Sequence, residues 1–262
     1  MSDAPTPVKR CLIRTMSDTI ETDIHRVHII ANEILPRYHK PKLSFEALRK
    51  VADGPFDFFL APILFAEDYA RDPSIIYNEG VRREIRGHAL EIARRHGFDV
   101  NPPDFIPGVE ESLKEAREAG LSNMVLTTSG RRYKHRVMEE HGISEYFEEI
   151  IDRDETYFRK EQGIYHLFRK LNRNLEVILL SGTATYLRAG NNLEFAQVAG
   201  SDLSVFTVGL ATEYSYNDEE TLAAANPKLL IRSLAELIPG LRQAGVLPAG
   251  AAEDRPASSS AA

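Results

Sequence analysis

Cysteine is nearly absent from this sequence, and long apolar runs are missing altogether. Cys11 is the one cysteine among 262 residues, so no internal disulfide can form, and we expect its thiol to be buried as a small apolar group. No stretch approaches the roughly 20 consecutive apolar residues that a membrane-spanning helix requires. The first ten residues lack the apolar segment of a secretory signal, and we therefore expect a cytoplasmic protein with no membrane partner.

Positively charged residues are fewer than negatively charged ones. The 32 Lys and Arg residues are outnumbered by 39 Asp and Glu residues, which gives a formal net charge of −7 at pH 7. Because such a chain has no broad attraction for phosphate backbones, we expect no nucleic-acid partner. The most basic segment, residues 131–136, is typical of a solvated helix start, and contact with the distal end of an anionic ligand is the alternative.

The first part of the chain predicts one short strand followed only by helices. Cys11, Leu12 and Ile13 form an apolar run that indicates a buried strand. From residue 20 to residue 96, apolar residues recur at three- and four-residue spacing, with Ser44 as a helix cap and Gly97 at a helix end. The helices predicted here cover about residues 20–38, 45–51, 58–69 and 74–96.

After residue 103 the pattern changes to an alternation of helix and strand. Strands are predicted at residues 124–126, 147–151, 176–180 and 205–208. Helices are predicted from residue 107 to residue 120 and at about residues 133–141, 161–171, 185–199 and 231–241. Strands separated by helices are typical of a parallel sheet covered by helices. The sequence therefore predicts an α/β fold with a helical insert after its first strand.

Several segments after the insert carry a resemblance to a known family. They are residues 106–120 with the strand and polar end at 124–128, Lys160 before a predicted helix, residues 176–200, and the closing segment 226–237. Their order resembles the haloacid-dehalogenase-like hydrolases, in particular the phosphoglycolate-phosphatase-like members with a helical cap. The resemblance implies a Rossmann-like parallel sheet core at residues 8–19 and 103–245 and an inserted helical cap domain at residues 20–102. Residues 246–262, rich in Ala, Ser and Pro, are expected to be a disordered tail.

The residues at the end of the first strand depart from that family. Its members carry two aspartates there, the first attacking phosphorus and the second protonating the leaving oxygen. The resemblance puts Thr15 and Ser17 at these positions, and neither hydroxyl performs that chemistry without an adjacent base. Asp18 stands where the family has glycine. A register with Asp18 as nucleophile is the alternative, but it would shift the strand and put Ile20 at the acid position.

The loop after the predicted strand 176–180 departs as well. Family members place acidic residues there, and together with the first aspartate these hold a magnesium ion through oxygen ligands. In this sequence Gly182 and Tyr186 occupy the two acidic positions. We therefore expect no metal and no cofactor, with magnesium binding only if a divergent site is active.

The resemblance leaves the phosphate-binding half of the site in place. Thr127 and Thr128 could donate hydrogen bonds at a strand end, and Lys160 could neutralise an anion. The candidate ligand-binding residues are Thr15, Ser17, Thr127, Thr128, Lys160, Ser181 and Gly182. The alternatives stay open: Thr15, Ser17 and Thr127 as plain strand-end residues, and Lys160 as a solvated charge at a helix start.

Three functional hypotheses follow from these departures. The first is a catalytically inactive relative, a pseudo-phosphatase that binds a phosphorylated small molecule, another anion or a protein partner. The second is an active hydrolase of the family with a divergent site. The third is a structural or scaffolding subunit whose cleft is vestigial. The sequence does not identify the ligand, the partner or the oligomeric state.

Overall fold

A six-stranded parallel sheet and a group of helices outside it make up the fold. The computed structural model describes residues 9–53, 55–127, 131–152, 175–195 and 204–249. The strands are β1 Lys9–Thr15, β2 Ser122–Leu126, β3 Phe147–Ile151, β4 Leu175–Ser181, β5 Ser204–Leu210 and β6 Leu229–Ile231. The helices are α1 Met16–Thr19, α2 Ile24–Ile34, α3 Phe45–Val51, α4 Phe56–Leu64, α5 Ala66–Arg71, α6 Glu79–Arg95, α7 Val109–Glu118, α8 Arg131–Glu140, α9 Ala184–Phe195, α10 Glu219–Ala224 and α11 Leu237–Gln243.

The central position of β1 explains its apolar sequence. The strand order is β3-β2-β1-β4-β5-β6, and every neighbouring pair is parallel. With β2 on one side and β4 on the other, β1 is covered on both faces, and Cys11, Leu12 and Ile13 are all buried. The predicted α/β fold with a Rossmann-like parallel sheet is confirmed.

Helices α2 to α6 leave the sheet after β1 and return to it before α7. Two connecting segments run side by side at this crossing, where the Thr22 N–H donates to the Asp104 carbonyl at 2.8 Å and an isolated bridge joins Glu21 to Phe105. Within the described part of residues 24–95 no strand forms. The helices pack around an apolar cluster of their own that includes Leu60 and Ile85. We call residues 24–95 the helical insert.

The ends of the insert helices follow the local signals in the sequence. The Ser44 hydroxyl accepts a hydrogen bond from the Ala47 N–H at 3.1 Å and so caps α3, as predicted. Gly97, just after α6, has a φ of 70°, a left-handed conformation that favours glycine at a helix end. The single helix predicted at residues 58–69 is wrong, because the chain forms α4 and α5 with a break at Phe65.

The last helix was also predicted too long. Residues 229–231 form β6 and pair with β5, and α11 begins only at Leu237. A short apolar run fits either a strand or a helix, and the otherwise open edge of β5 decides between them through backbone hydrogen bonds. Leu247 is still buried in the core. The helix predicted at residues 161–171 and the end of the chain from residue 250 lie outside the described residues.

Apolar layers cover both faces of the sheet. One layer joins Leu12 and Met16 to helices α7 and α11, and the other contains Cys11, Val177 and Tyr186. Cys11 is therefore the buried apolar residue that its sequence environment predicts. In the described ranges, no helix is both long and apolar enough to cross a bilayer.

A charged side chain lies inside the first of these layers. Arg14 of β1 is fully buried, and its Nη2 donates to the Ser112 carbonyl at 3.1 Å and to the Ser112 hydroxyl at 2.9 Å. Its Nε and Nη1 atoms are buried without a hydrogen-bond partner. Burial lowers the pKa of the guanidinium from its ordinary value to about 9, so the group still carries its charge at neutral pH. An unpaired buried charge opposes folding.

We expect Arg14→Met to raise the free energy of unfolding by about 1 to 4 kcal/mol, because a flexible apolar side chain fills the same space without desolvating a charge. Urea unfolding at pH 7 measures the change. Arg10→Met is the matched control on the same strand: Arg10 pairs with Glu176 where both side chains are about 40% exposed, so the expected change is below about 1 kcal/mol. A loss of stability in Arg14→Met alone would contradict this account.

Candidate functional site

The carboxyl ends of β1 and β4 bring two hydroxyl groups together. Thr15 is the last residue of β1 and Ser181 the last residue of β4. The strands are parallel neighbours, so these ends lie at the same edge of the sheet. The hydroxyl oxygens of Thr15 and Ser181 lie 3.0 Å apart, within hydrogen-bond distance. Both side chains are buried.

The carboxylate of Asp18 is the centre of this site. Its Oδ1 accepts a hydrogen bond from the Thr15 hydroxyl, and its Oδ2 accepts one from the Thr183 hydroxyl and one, at 3.3 Å, from the Ser181 hydroxyl. Asp18 is 2% exposed. A buried charge requires such donors, because hydroxyls replace the water that the carboxylate loses. We call Asp18, Thr15, Ser181 and Thr183 the Asp18 cluster.

The short helix α1 brings Asp18 back toward the strand end. Residues three apart in a helical turn lie on one side of it, so Asp18 faces Thr15 across the first turn. The Thr19 hydroxyl donates to the Thr15 carbonyl and closes the turn. The sequence alone predicts Asp18 at the family's glycine position and predicts no role for Thr183. The three-residue spacing from Thr15 to Asp18 was the signal that could have indicated the contact.

Thr127 extends this edge of the sheet toward β3. It follows β2, whose Leu126 is paired in register with Thr15. The Thr127 side chain is buried, and its N–H donates to the Ile151 carbonyl at 2.9 Å. Thr127 therefore lies one residue beyond the strand position beside Thr15. Thr128 and Lys160 lie outside the described residues.

Ser17 belongs to the crossing between sheet and insert. Its hydroxyl donates to Glu21 Oε1 at 3.1 Å. Close by in sequence, Asp23 accepts a hydrogen bond from the Tyr216 hydroxyl at 3.3 Å. Burial raises the pKa of the Asp23 carboxyl, against the opposing effects of Arg26 and of the Tyr216 hydrogen bond. Burial, followed by the charges of Asp23 and Asp18, raises the pKa of Tyr216 well above its ordinary value.

The position of Gly182 has no room for a side chain. A Cβ built there would lie 2.9 Å from both the Cβ and the hydroxyl oxygen of Ser215 and 3.1 Å from the Asp18 carbonyl oxygen. The Gly182 carbonyl accepts a hydrogen bond from the Asn217 N–H at 3.0 Å, which holds the loop of Ser215 against it. Tyr186 is 6% exposed and belongs to the apolar layer beneath the sheet.

The donor set of this site does not fit a magnesium ion of the family type. Mg²⁺ requires near-octahedral oxygen ligands, with carboxylates to offset its dehydration. The Asp18 cluster offers one carboxylate, and the hydroxyls of Thr15, Ser181 and Thr183 already donate to it. In the part of the chain that the structure describes, no group of three His, Cys, Asp or Glu side chains could hold a metal. These residues therefore support no metal-dependent reaction step.

Comparison with known proteins finds similarity to haloacid dehalogenase-like hydrolases and to phosphatases. Residues 74–186 match the family model of haloacid dehalogenase-like hydrolases. A phosphoglycolate phosphatase of Vibrio parahaemolyticus is 26% identical over 229 residues, which are 85% of this chain and 92% of that protein. One of Vibrio vulnificus is 25% identical over 173 residues, which are 64% of this chain and 71% of that protein. The crystal structure of a predicted phosphatase from Clostridium acetobutylicum superposes with a TM-score of 0.65 at 14% identity, over 90% of this chain and all of that one.

We expect Gly182→Asp, which introduces the acidic residue that the family resemblance implies at this position, to lower the free energy of unfolding by about 1 to 3 kcal/mol, because the new side chain overpacks against Ser215. Gly182→Ala should show most of the same loss. Thermal and urea unfolding measure both variants. Gly87→Ala in α6 is the control: an added Cβ there meets nothing within 4 Å, so the helix should gain up to about 1 kcal/mol. Wild-type stability in Gly182→Asp would contradict the closed position of the Ser215 loop.

Proposed function

We propose that the chain is a member of the haloacid-dehalogenase-like hydrolase superfamily and, within it, a non-hydrolysing relative of the phosphatases. Its ligand in this proposal is a phosphorylated small molecule, bound at the edge of the sheet where β1, β2 and β4 end. Two parts of the proposal are separable. One is the absence of phosphatase turnover, and the other is anion binding that does not require magnesium.

The Asp18 cluster is the observation that carries the first part. The residue at the end of β1 is Thr15, whose hydroxyl donates to Asp18 rather than presenting a carboxylate to a substrate. Asp18 itself accepts hydrogen bonds from three hydroxyls, one on Oδ1 and two on Oδ2, which stabilise the buried carboxylate and compete with a phosphorus atom for its lone pairs. A nucleophile must have a free lone pair directed at phosphorus. Buried as it is, this carboxylate is a structural group in the proposal.

The second part concerns the groups that a ligand would contact at this edge. The hydroxyls of Thr15, Ser181 and Thr183 donate to Asp18, and in this proposal an anion contacts Thr127 and Lys160. Lys160 is included through the family resemblance. An anion near Asp18 would also meet its negative charge, which weakens binding through Coulomb repulsion. We therefore propose a ligand affinity that Asp18 limits.

A divergent hydrolase is the second candidate, and one contact favours it. A threonine hydroxyl becomes a nucleophile when an adjacent base accepts its proton, and the Asp18 carboxylate is in contact with the Thr15 hydroxyl. In this alternative the Thr15 oxygen attacks phosphorus as its proton passes to Asp18. The P–O bond to the leaving alcohol breaks, the leaving oxygen takes that proton from Asp18, and water then hydrolyses the phosphothreonine. Asp18 also accepts hydrogen bonds from the Ser181 and Thr183 hydroxyls, and these compete with the Thr15 proton for its oxygens, which is why we rank this candidate second.

We expect the purified protein to hydrolyse no phosphate ester above the level of a mock preparation, with or without magnesium. A panel of esters that includes 2-phosphoglycolate and p-nitrophenyl phosphate, assayed for phosphate release, measures this. Asp18→Asn is isosteric with the wild type and should likewise show no turnover. Magnesium-stimulated turnover that Asp18→Asn and Thr15→Val both abolish would overturn the proposal and support the divergent hydrolase.

We expect inorganic phosphate and phosphorylated metabolites to bind equally well in magnesium and in chelator, as measured by calorimetry. Lys160→Ala should weaken binding by on the order of 1.5 to 3 kcal/mol if the contact is shielded from water. Asp18→Asn should strengthen it, because a negative charge is removed from the edge of the sheet. Lys114→Ala, which removes an exposed lysine paired with Glu110, is the control and should change nothing. Binding that requires magnesium would contradict the proposal.

A further inference from the structure

Asn217 joins the helical insert to the sheet through a buried side chain. Its Oδ1 accepts a hydrogen bond from the Ala184 N–H at 2.8 Å, at the start of α9. Its Nδ2 donates to the Arg49 carbonyl at 2.8 Å and to the Ala52 carbonyl at 3.4 Å, both at the end of α3 in the insert. Asn217 has no exposed surface. Each polar atom of the amide therefore has a partner, and those partners come from both parts of the fold.

Arg49 of the insert makes the reciprocal contact. Its Nη2 donates to the Thr212 carbonyl at 2.7 Å and to the Asn217 carbonyl at 2.9 Å. These carbonyls lie at the two ends of the loop between β5 and α10, so one guanidinium group holds the loop in a fixed shape. Breaking the contact would leave two carbonyls and a charged donor to be solvated again. Opening of this interface is therefore unfavourable unless water enters it.

Asp53, just after α3, provides a contact with α9. Its Oδ1 accepts a hydrogen bond from the Thr185 N–H at 3.1 Å, and its Oδ2 pairs with Arg188 Nη1 at 3.2 Å. The first N–H groups of a helix have no partner within the helix and favour a negative charge. A residue of the insert thus caps a helix of the sheet layer. Undocking the insert would remove this cap.

We propose that Asn217, Arg49 and Asp53 form a latch that keeps the helical insert docked on the sheet, so that the docked arrangement is the resting state of the molecule. The latch also fixes the Ser215 loop over Gly182, because the Asn217 N–H donates to the Gly182 carbonyl. Opening of the insert then requires the loss of all these contacts at once. This inference concerns docking and does not depend on whether the Asp18 cluster is catalytic.

Asn217→Asp is the variant that tests the latch. The two side chains have the same shape, and one oxygen of the new carboxylate can still accept from the Ala184 N–H. The other oxygen replaces the Nδ2 donor that faces the Arg49 and Ala52 carbonyls. The negative carboxylate then repels the negatively polarised oxygens of these carbonyls. Asn191→Asp is the matched control. Asn191 Oδ1 accepts from a hydroxyl, that of Thr207, and its Nδ2 donates to two carbonyls, but all these partners belong to the sheet and its own helices.

Hydrogen exchange of the full-length protein, followed by mass spectrometry at pH 7, is the measurement. In Asn217→Asp we expect the amides of α3 and the Thr22 and Ile106 amides at the crossing to exchange at least about tenfold faster than in the wild type, while the β1 amides change much less. In Asn191→Asp, α3 and the crossing should change no more than β1 does. Arg49→Met should reproduce the pattern of Asn217→Asp. If Asn217→Asp does not fold, Arg49→Met takes its place as the test variant.

Two results would overturn the latch. The first is equal acceleration of α3 and β1 in Asn217→Asp and in Arg49→Met, which would mean that these contacts contribute only to global stability. The second is fast exchange of α3 and of the crossing in the wild type, which would mean that the insert opens freely. The phosphate-release assay reports separately on the function proposed above, so failure of either idea leaves the other testable.

Discussion

The burial of the Asp18 carboxylate is the constraint on which the rest of the site depends. A charge removed from water needs several hydrogen-bond donors, and here the hydroxyls of Thr15, Ser181 and Thr183 supply them. Those donors come from the ends of two neighbouring parallel strands and from the start of a helix. Their convergence requires β1 and β4 to end at the same level, and it requires the turn of α1 to direct Asp18 back toward the sheet. The loop over Gly182 then closes the site.

The residues at the ends of β1 and β4 form one arrangement around the Asp18 carboxylate. Hydroxyls at positions 15, 181 and 183 suit a carboxylate that the chain provides itself, whereas carboxylates there would repel it. Gly182 leaves space for Ser215, and Tyr186 fills an apolar layer. A change at one of these positions therefore affects the others. We therefore expect the effects of substitutions at these positions to be non-additive.

The docking of the helical insert adds a second set of buried polar contacts. Asn217 and Arg49 satisfy each other's backbone carbonyls across the interface, and Asp53 caps α9. Polar contacts of this kind are favourable only when the two surfaces remain together, because a separated surface would need water at every donor and acceptor. The buried Arg14 has no such network. It lies in the apolar layer with Ser112 as its partner, at a cost to stability.

The sequence by itself determined the elements with strong local patterns and the family order: the buried strand at residues 11–13, the helical insert, the alternating strands and helices that follow, and the caps at Ser44 and Gly97. That Thr15, Ser17, Gly182 and Tyr186 stand at the family's acidic positions is what the resemblance implies, and it stays a prediction. Only the tertiary structure decided what those residues contact. The Asp18 cluster joins residues more than 160 positions apart, and the apolar run at residues 229–231 becomes a strand through the edge of β5. Local periodicity indicates how one segment folds. A hydrogen bond between distant segments depends on which strands become neighbours, and the pattern of a single segment contains no information about its neighbours.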